Sequence, residues 1–183
     1  MGIGAGGISW KIFLICAVVA GCVHVRADSA QGAEREGRMR LTSPAFEDGA
    51  SIPERFTGEG ADVNPPLEIS RWPEGTKSMV LIVDDPDAPR GTWVHWVVYD
   101  IVPVSRIDEA SVPGTEGMNS SRGTKYRGPY PPSGTHRYFF KLYALDAMLL
   151  LPAGIDLPTL QKAMTGHSIG KAELMGTYQR RSQ

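Results

Sequence analysis

The apolar positions of this chain fall into short blocks with period two or no period, and helical spacing is confined to the C-terminal third. In Ser78–Asp84 five consecutive apolar residues, Met79 to Val83, follow one another. Such a run predicts a strand covered on both faces. It stops at "DDPDAP", whose prolines cannot continue a ladder. A second strand is predicted in "TWVHWVVYDIV", with Trp93, His95, Val97 and Tyr99 on one face and Val94, Trp96 and Val98 on the other. A third, "HRYFFKLYAL", sets His136, Tyr138, Phe140 and Leu142 on one face. Its other face mixes Arg137 and Lys141 with Phe139 and Tyr143, so shallower burial is expected there. "GIDLPTLQKAMTG" predicts a short helix with Asp156 as N-cap, Pro158 in the first turn and Gly166 at the end. "KAELMGTY" is expected to add a further helical turn. The fold class is mainly β, with one or two late helices.

Between the second and third strands, "NSSRGTKYRGPYPPSG" has no periodicity. It is expected to be a long ordered loop, and loops of this length in a compact domain are commonly functional. Asn119 opens a formal glycosylation sequon, read here as a turn.

The N-terminus reads differently. Lys11 precedes "IFLICAVVAGCV", an apolar run too short to span a bilayer and suited to a signal-peptide core. It ends in small residues before Cys22, as in the bacterial lipobox, which predicts cleavage at that point and a lipid on Cys22. Ordinary secretory cleavage after Ala27 and an uncleaved anchor are the competing readings. The expected organisation is a signal peptide over 1–21, a flexible tether over 22–38 and one folded domain over 39–183. The expected location is the cell envelope, facing the periplasm, or the soluble periplasm.

Composition narrows the partners. The formal net charge is −1, and removing residues 1–21 takes away Lys11, leaving 18 basic and 20 acidic residues, or −2. That balance gives no footing for nucleic acid and none for attraction to an anionic membrane, so membrane attachment is expected only through an N-terminal lipid. Both cysteines, Cys16 and Cys22, lie in the targeting segment, which excludes a disulfide framework.

Candidate chemistry collects at strand ends: Asp84, Asp85 and Asp87 after the first strand, His95 in the second and His136 at the start of the third. If these strands are neighbours, Asp85, His95 and His136 converge on one pocket mouth. The blander alternatives are a turn at "DPDAP", a satisfied core histidine at 95 and a strand cap at 136. No metal site is expected, since the two histidines lie 41 residues apart and no H-x-H or H-x-x-x-H occurs. No G-x-S-x-G marks a serine hydrolase, and no glycine pattern marks a nucleotide cofactor, so no cofactor is expected.

Taken together, "DDPDAP", "WVHW" and "GPYPPSGTHRY" resemble the phosphatidylethanolamine-binding protein family, also called the Raf-kinase-inhibitor-like proteins. "SPAF", "NPPL", "YALD" and "AELMGTY" make the bacterial branch the nearer likeness. The resemblance runs from about Met39 to Tyr178. It implies a large antiparallel sheet packed with a smaller one, and a cavity for a small anion such as phosphate or a phospholipid headgroup. The lining it implies is Asp85, Pro89, Trp93, His95, Gly128, Pro131, Pro132, His136 and Tyr138, with loop glycine N–H groups approaching the ligand. Asp87 and Arg137 are implied as a buried structural ion pair. The function implied is non-enzymatic binding. Inhibition of a protease or kinase, and hydrolysis by the two histidines as acid and base, stand as alternatives. Arg90 departs from the serine or threonine common in eukaryotic members. The expected C-terminus, shortly after Tyr178, lacks the longer helix some of those members carry.

Overall fold

The structure, a computed structural model, describes residues 1–2 and 38–181, so the predicted signal peptide, Cys22 and nearly all of the tether lie outside the described residues. Eight strands and one helix follow in order. They are β1 (Arg40–Thr42), β2 (Leu67–Ser70), β3 (Ser78–Asp85), β4 (Trp93–Ile101), β5 (Arg106–Ile107), β6 (Thr115–Glu116), β7 (Thr135–Leu145), α1 (Leu157–Met164) and β8 (Ser168–Gln179). A five-stranded antiparallel sheet has the order β6-β4-β3-β7-β8, and a three-stranded one the order β1-β2-β5.

The apolar run of β3 makes it the central strand, and every one of its residues is buried. One face carries Val80 and Ile82, which pack with Val97, Tyr99 and Leu145 against Leu160 and Met164 of α1. Leu81 and Val83 on the other face join Phe140, Leu142 and Trp96, and meet Leu41, Leu67, Ile69 and Ile107 of the smaller sheet. Burying each such side chain contributes about 1.5–3 kcal/mol, so the two-sided cover of β3 fixes its register and the placement of both its ends. The N-cap of α1 is Asp156, whose carboxylate accepts the Thr159 N–H at 2.9 Å.

Two expectations change. "KAELMGTY" is not helical: it lies within β8, which pairs with β7 along nearly its whole length, so among the described residues α1 is the one α-helix, beside a single 3-10 turn at Glu54–Phe56. Ala, Glu, Leu and Met favour helices in isolation. Here the long free edge of β7 and the inward positions Ala172, Leu174, Gly176 and Tyr178 override that preference. Gly176 is required by close packing, since a Cβ there would lie 2.4 Å from Ile52 Cγ1.

The second change concerns β4. Val83 pairs with Trp96 but Asp84 pairs with Val94, which leaves His95 as the extra residue of a β-bulge. The phase of the strand shifts there. Val94 packs toward α1, while Trp96 and Val98 pack toward the smaller sheet, so they do not share one face as simple alternation expects. His95 is turned away from Val97 and Tyr99 and meets Tyr138 of β7 edge-on, with ring centroids 5.2 Å apart. A bulge that re-aims one side chain is a frequent device beside functional sites.

Candidate functional site

The antiparallel order brings the end of β3, the beginning of β4 and the beginning of β7 to one edge of the sheet. Asp85 faces Trp93 across one ladder, and Asp84 faces Phe139 across the other. The adjacency assumed for Asp85, His95 and His136 is therefore present. A cavity of about 390 Å³ opens there, floored by Asp85, His95 and Tyr138. Ala88, Pro89 and Trp93 form one side, and Gly128, Tyr130, Pro131 and Pro132 the other. Its size is at the lower end of the roughly 300–1,000 Å³ typical of ligand pockets. Trp93 and Tyr130 stand at the rim, 39% and 52% exposed.

Of the residues the resemblance assigns to the lining, His136 alone does not line the cavity. It is buried, and its Nδ1 lies 2.8 Å from Asp85 Oδ2. Asp85 Oδ1 accepts the Asp87 N–H at 2.8 Å. Asp85 thus holds His136 with one oxygen and the 85–87 turn with the other, and His136 reaches the cavity through that carboxylate.

His95 is bonded twice to one residue of the long loop. Its carbonyl accepts the Arg127 N–H at 3.2 Å, and its Nδ1 donates to the Arg127 carbonyl at 2.6 Å. A carbonyl can only accept, so Nδ1 carries the proton and Nε2 is the nitrogen left for the cavity. Burial disfavours the charged ring and lowers the His95 pKa below its ordinary value.

Tyr138 is fully buried, and its hydroxyl has no hydrogen-bond partner within 3.5 Å. The Tyr130 backbone amide faces it more loosely, as a donor, so the phenol proton lacks an acceptor. Burial, and after it the nearby Asp85 charge, push its pKa well above the ordinary phenol range. Buried hydroxyls are normally satisfied, and this one belongs to a residue that lines the cavity.

The loop is held by residues that period-based reading passes over. Asn119 is buried: its Oδ1 accepts the N–H groups of Ser121 and Gly123, and its Nδ2 donates to the Lys125 carbonyl at 2.8 Å. The sequon asparagine is thus a turn organiser. The signal was available, because Asn followed by Ser-Ser and Gly is turn chemistry. Gly128 packs so closely on the 56–57 backbone that a Cβ would lie 2.5 Å from the Phe56 carbonyl oxygen. Its N–H donates to Asp62 Oδ1 at 2.5 Å and is therefore not directed at a ligand, contrary to the expected role of the loop glycines. Asp62, Ser121, Arg127 and Gly58 also line the cavity and were not singled out from the sequence. Arg127 Nε stands 4.0 Å from Asp62 Oδ2.

The cavity carboxylates are thus already engaged, Asp85 by His136 and Asp87 and Asp62 by Gly128 and Arg127. The groups with donor capacity to spare are the Tyr138 hydroxyl, the exposed Arg127 guanidinium, whose contact with Asp62 is a loose 4.0 Å, and, when protonated, His95 Nε2. Such a set suits an oxyanion. Among the described residues no three His, Cys, Asp or Glu side chains are grouped to hold a metal ion.

Asp87 and Arg137 form the implied ion pair at 2.7 Å and 2.9 Å, and the Arg137 N–H adds a third bond to Asp87. The pair is not buried: the side chains are 28% and 53% exposed, because Arg137 lies on the outward face of β7. The hydrogen bond from Arg137 holds the Asp87 pKa down at about 2. A depressed carboxyl pKa adds stability above its unfolded value, near 4, and that contribution is lost as pH falls through about 2. Solvent screening keeps it to about 1 kcal/mol or less. Asp87→Asn is expected to flatten the acid limb of the stability curve between about pH 4 and 2. Urea denaturation across that range checks this, and an unchanged acid limb would count against it.

The model of the family described as "Phosphatidylethanolamine-binding protein" matches residues 42–179. A UPF0098 protein of Methanothermobacter thermautotrophicus is 45% identical over 150 residues, spanning 78% of this chain and 99% of that protein. The crystal structure of a Chlamydia trachomatis protein, reported as a homologue of phosphatidylethanolamine-binding proteins, superposes with a TM-score of 0.77 at 42% identity. It covers 79% of this chain and 99% of its own. Escherichia coli YbcL, described as a new member of the mammalian family, superposes with a TM-score of 0.73 at 26% identity over 79% and 99%. With its two antiparallel sheets and this extent of similarity, the chain belongs to the phosphatidylethanolamine-binding protein family.

Proposed function

We propose that this chain is a non-enzymatic binding protein whose cavity takes a small phosphate-bearing ligand, either free phosphate or a phospholipid headgroup. The observation that carries this reading is the buried hydroxyl of Tyr138, a residue lining the cavity, whose proton lacks an acceptor while the cavity carboxylates are already engaged. Arg127 supplies a charge-assisted donor at the mouth. His95 supplies another when it is protonated, and a bound anion favours that form. The Asp62 and Asp85 carboxylates, though each is already hydrogen-bonded within the protein, leave negative charge in the lining for a ligand that also carries an ammonium group. The apolar run and small residues before Cys22 support a lipid-tethered envelope location. Intact mass of the protein purified from its own membranes, with Cys22→Ser as control, tests that part.

Isothermal titration with inorganic phosphate and with phosphoethanolamine tests the cavity, comparing the native chain with His95→Ala. Losing one charge-assisted bond of about 1.5–3 kcal/mol is expected to weaken binding roughly ten- to a hundred-fold. Equal affinity in both proteins would sink the reading. The same site predicts a pH dependence. Neutral His95 presents a lone pair at Nε2, and its pKa is lowered, so an anion gains as pH falls below the ordinary histidine value. Sulfate, whose charge is constant over this range, is expected to bind more tightly as pH falls below about 6.5, by at most about tenfold per pH unit. His95→Gln is expected to remove that slope.

A further inference from the structure

The floor of the cavity belongs to the large sheet, but its Tyr130 wall does not. Tyr130 rests on Gly58, where a Cβ would lie 3.0 Å from its ring, and the Gly58 N–H donates to the Pro129 carbonyl at 3.0 Å. The Arg180 guanidinium lies over the same ring, 4.1 Å from its centroid, just past the end of β8. Arg180 Nε is buried without a hydrogen-bond partner, 3.7 Å from Glu59 Oε1. Glu59 itself is fixed by Tyr178, whose hydroxyl donates to Oε2 at 2.6 Å, and by the Arg181 N–H at 3.3 Å. Three segments far apart in sequence therefore meet on one aromatic ring. A guanidinium held against an acidic partner and stacked on a ring fixes the plane of that ring, which an ammonium does less well.

We propose that Arg180 is a specificity-determining residue: by clamping Tyr130 it keeps the cavity narrow, so that compact phosphomonoesters are preferred to bulkier phosphodiesters. The inference rests on the phosphate reading of the cavity and adds which ligands the cavity rejects. Gly58 and Tyr130 both line the cavity, so release of the ring widens it on that side. Asp85 and Tyr138 stay in place because strand pairing holds them, and His95 because its two bonds to Arg127 and the Tyr138 ring hold it.

The test compares the native chain with Arg180→Ala and Arg180→Lys. The first readout is the ratio of affinities for phosphoethanolamine and glycerophosphoethanolamine, by titration calorimetry. The second needs no ligand: hydrogen exchange at the Gly58 amide. Arg180→Ala is expected to shift the ratio at least threefold toward the diester and to speed exchange at Gly58, with Arg180→Lys restoring both in part. A ratio that does not move overturns the proposal even if exchange quickens, because Arg180 would then serve structure alone. A shifted ratio with unchanged exchange overturns it too, since the clamp would not be the cause. If the native chain binds neither probe, the phosphate reading falls and the selectivity claim with it, while unchanged exchange beside intact binding removes the clamp alone.

Discussion

Asp85→Ala is expected to be among the most destabilising single changes in this domain, costing about 3–5 kcal/mol. Asp85 and His136 are both nearly buried and joined at 2.8 Å, and the other Asp85 oxygen holds the Asp87 N–H. Truncation strands an imidazole N–H and a backbone N–H in a place with little water to replace the carboxylate. The consequence reaches the ligand as well, because residues 86–89 leave β3 through that bond and carry Pro89 to the cavity wall. Asp85→Asn is a useful companion. Its oxygen can still accept from His136, but its amide NH₂ then faces another donor at Asp87, so an intermediate loss is expected. Chemical denaturation of the three proteins measures the series. A loss below about 1 kcal/mol for Asp85→Ala would mean that the 85–136 pair is not a structural support.

Tyr138→Phe is expected to move stability and binding in opposite directions. The phenol proton is buried without an acceptor, a state that costs about 1–3 kcal/mol, and phenylalanine fits the same space without it. The ligand-free variant should therefore gain of the order of 1 kcal/mol in denaturation experiments. Phosphate affinity should fall roughly ten- to a hundred-fold for the loss of a hydrogen bond to a charged ligand. A destabilised Tyr138→Phe with unchanged affinity would show that the hydroxyl finds a partner inside the protein and has no part in the site. Strain of this kind is what a preformed binding site retains and an ordinary core does not.

The long strands were readable because their patterns are long. Met79 to Val83 admits few readings other than a doubly covered strand, and the alternation of His136, Tyr138, Phe140 and Leu142 spans four positions. The strands of the smaller sheet have two to four residues each, too few to establish a period, so that sheet was expected only through the family likeness. Residues 171–178 were misread because their local preference is helical, and only the presence of β7 beside them decides the matter. In the site, strand ends with unusual chemistry could be picked out one by one. Asp62 could not, since its contact with Gly128 links residues 66 positions apart and nothing in its own neighbourhood announces it. Arg180 was invisible for the same reason. His95 is the instructive case: the residue was correctly suspected while the face assigned to it was wrong, because a bulge leaves no mark in the alternation of valine and tryptophan around it.

That bulge also says how this site would be lost over evolutionary time. His95 points into the cavity because β4 carries one residue more than β3 opposite it. Deleting Val94 would leave the histidine, both tryptophans and every other lining residue in the chain, yet the ladder would close up and the imidazole would swing toward α1. A deletion in this stretch is therefore expected to disable the proposed site as fully as replacement of His95 itself. A survey of relatives should compare the spacing from the Asp-Pro turn to the histidine before it compares the letters.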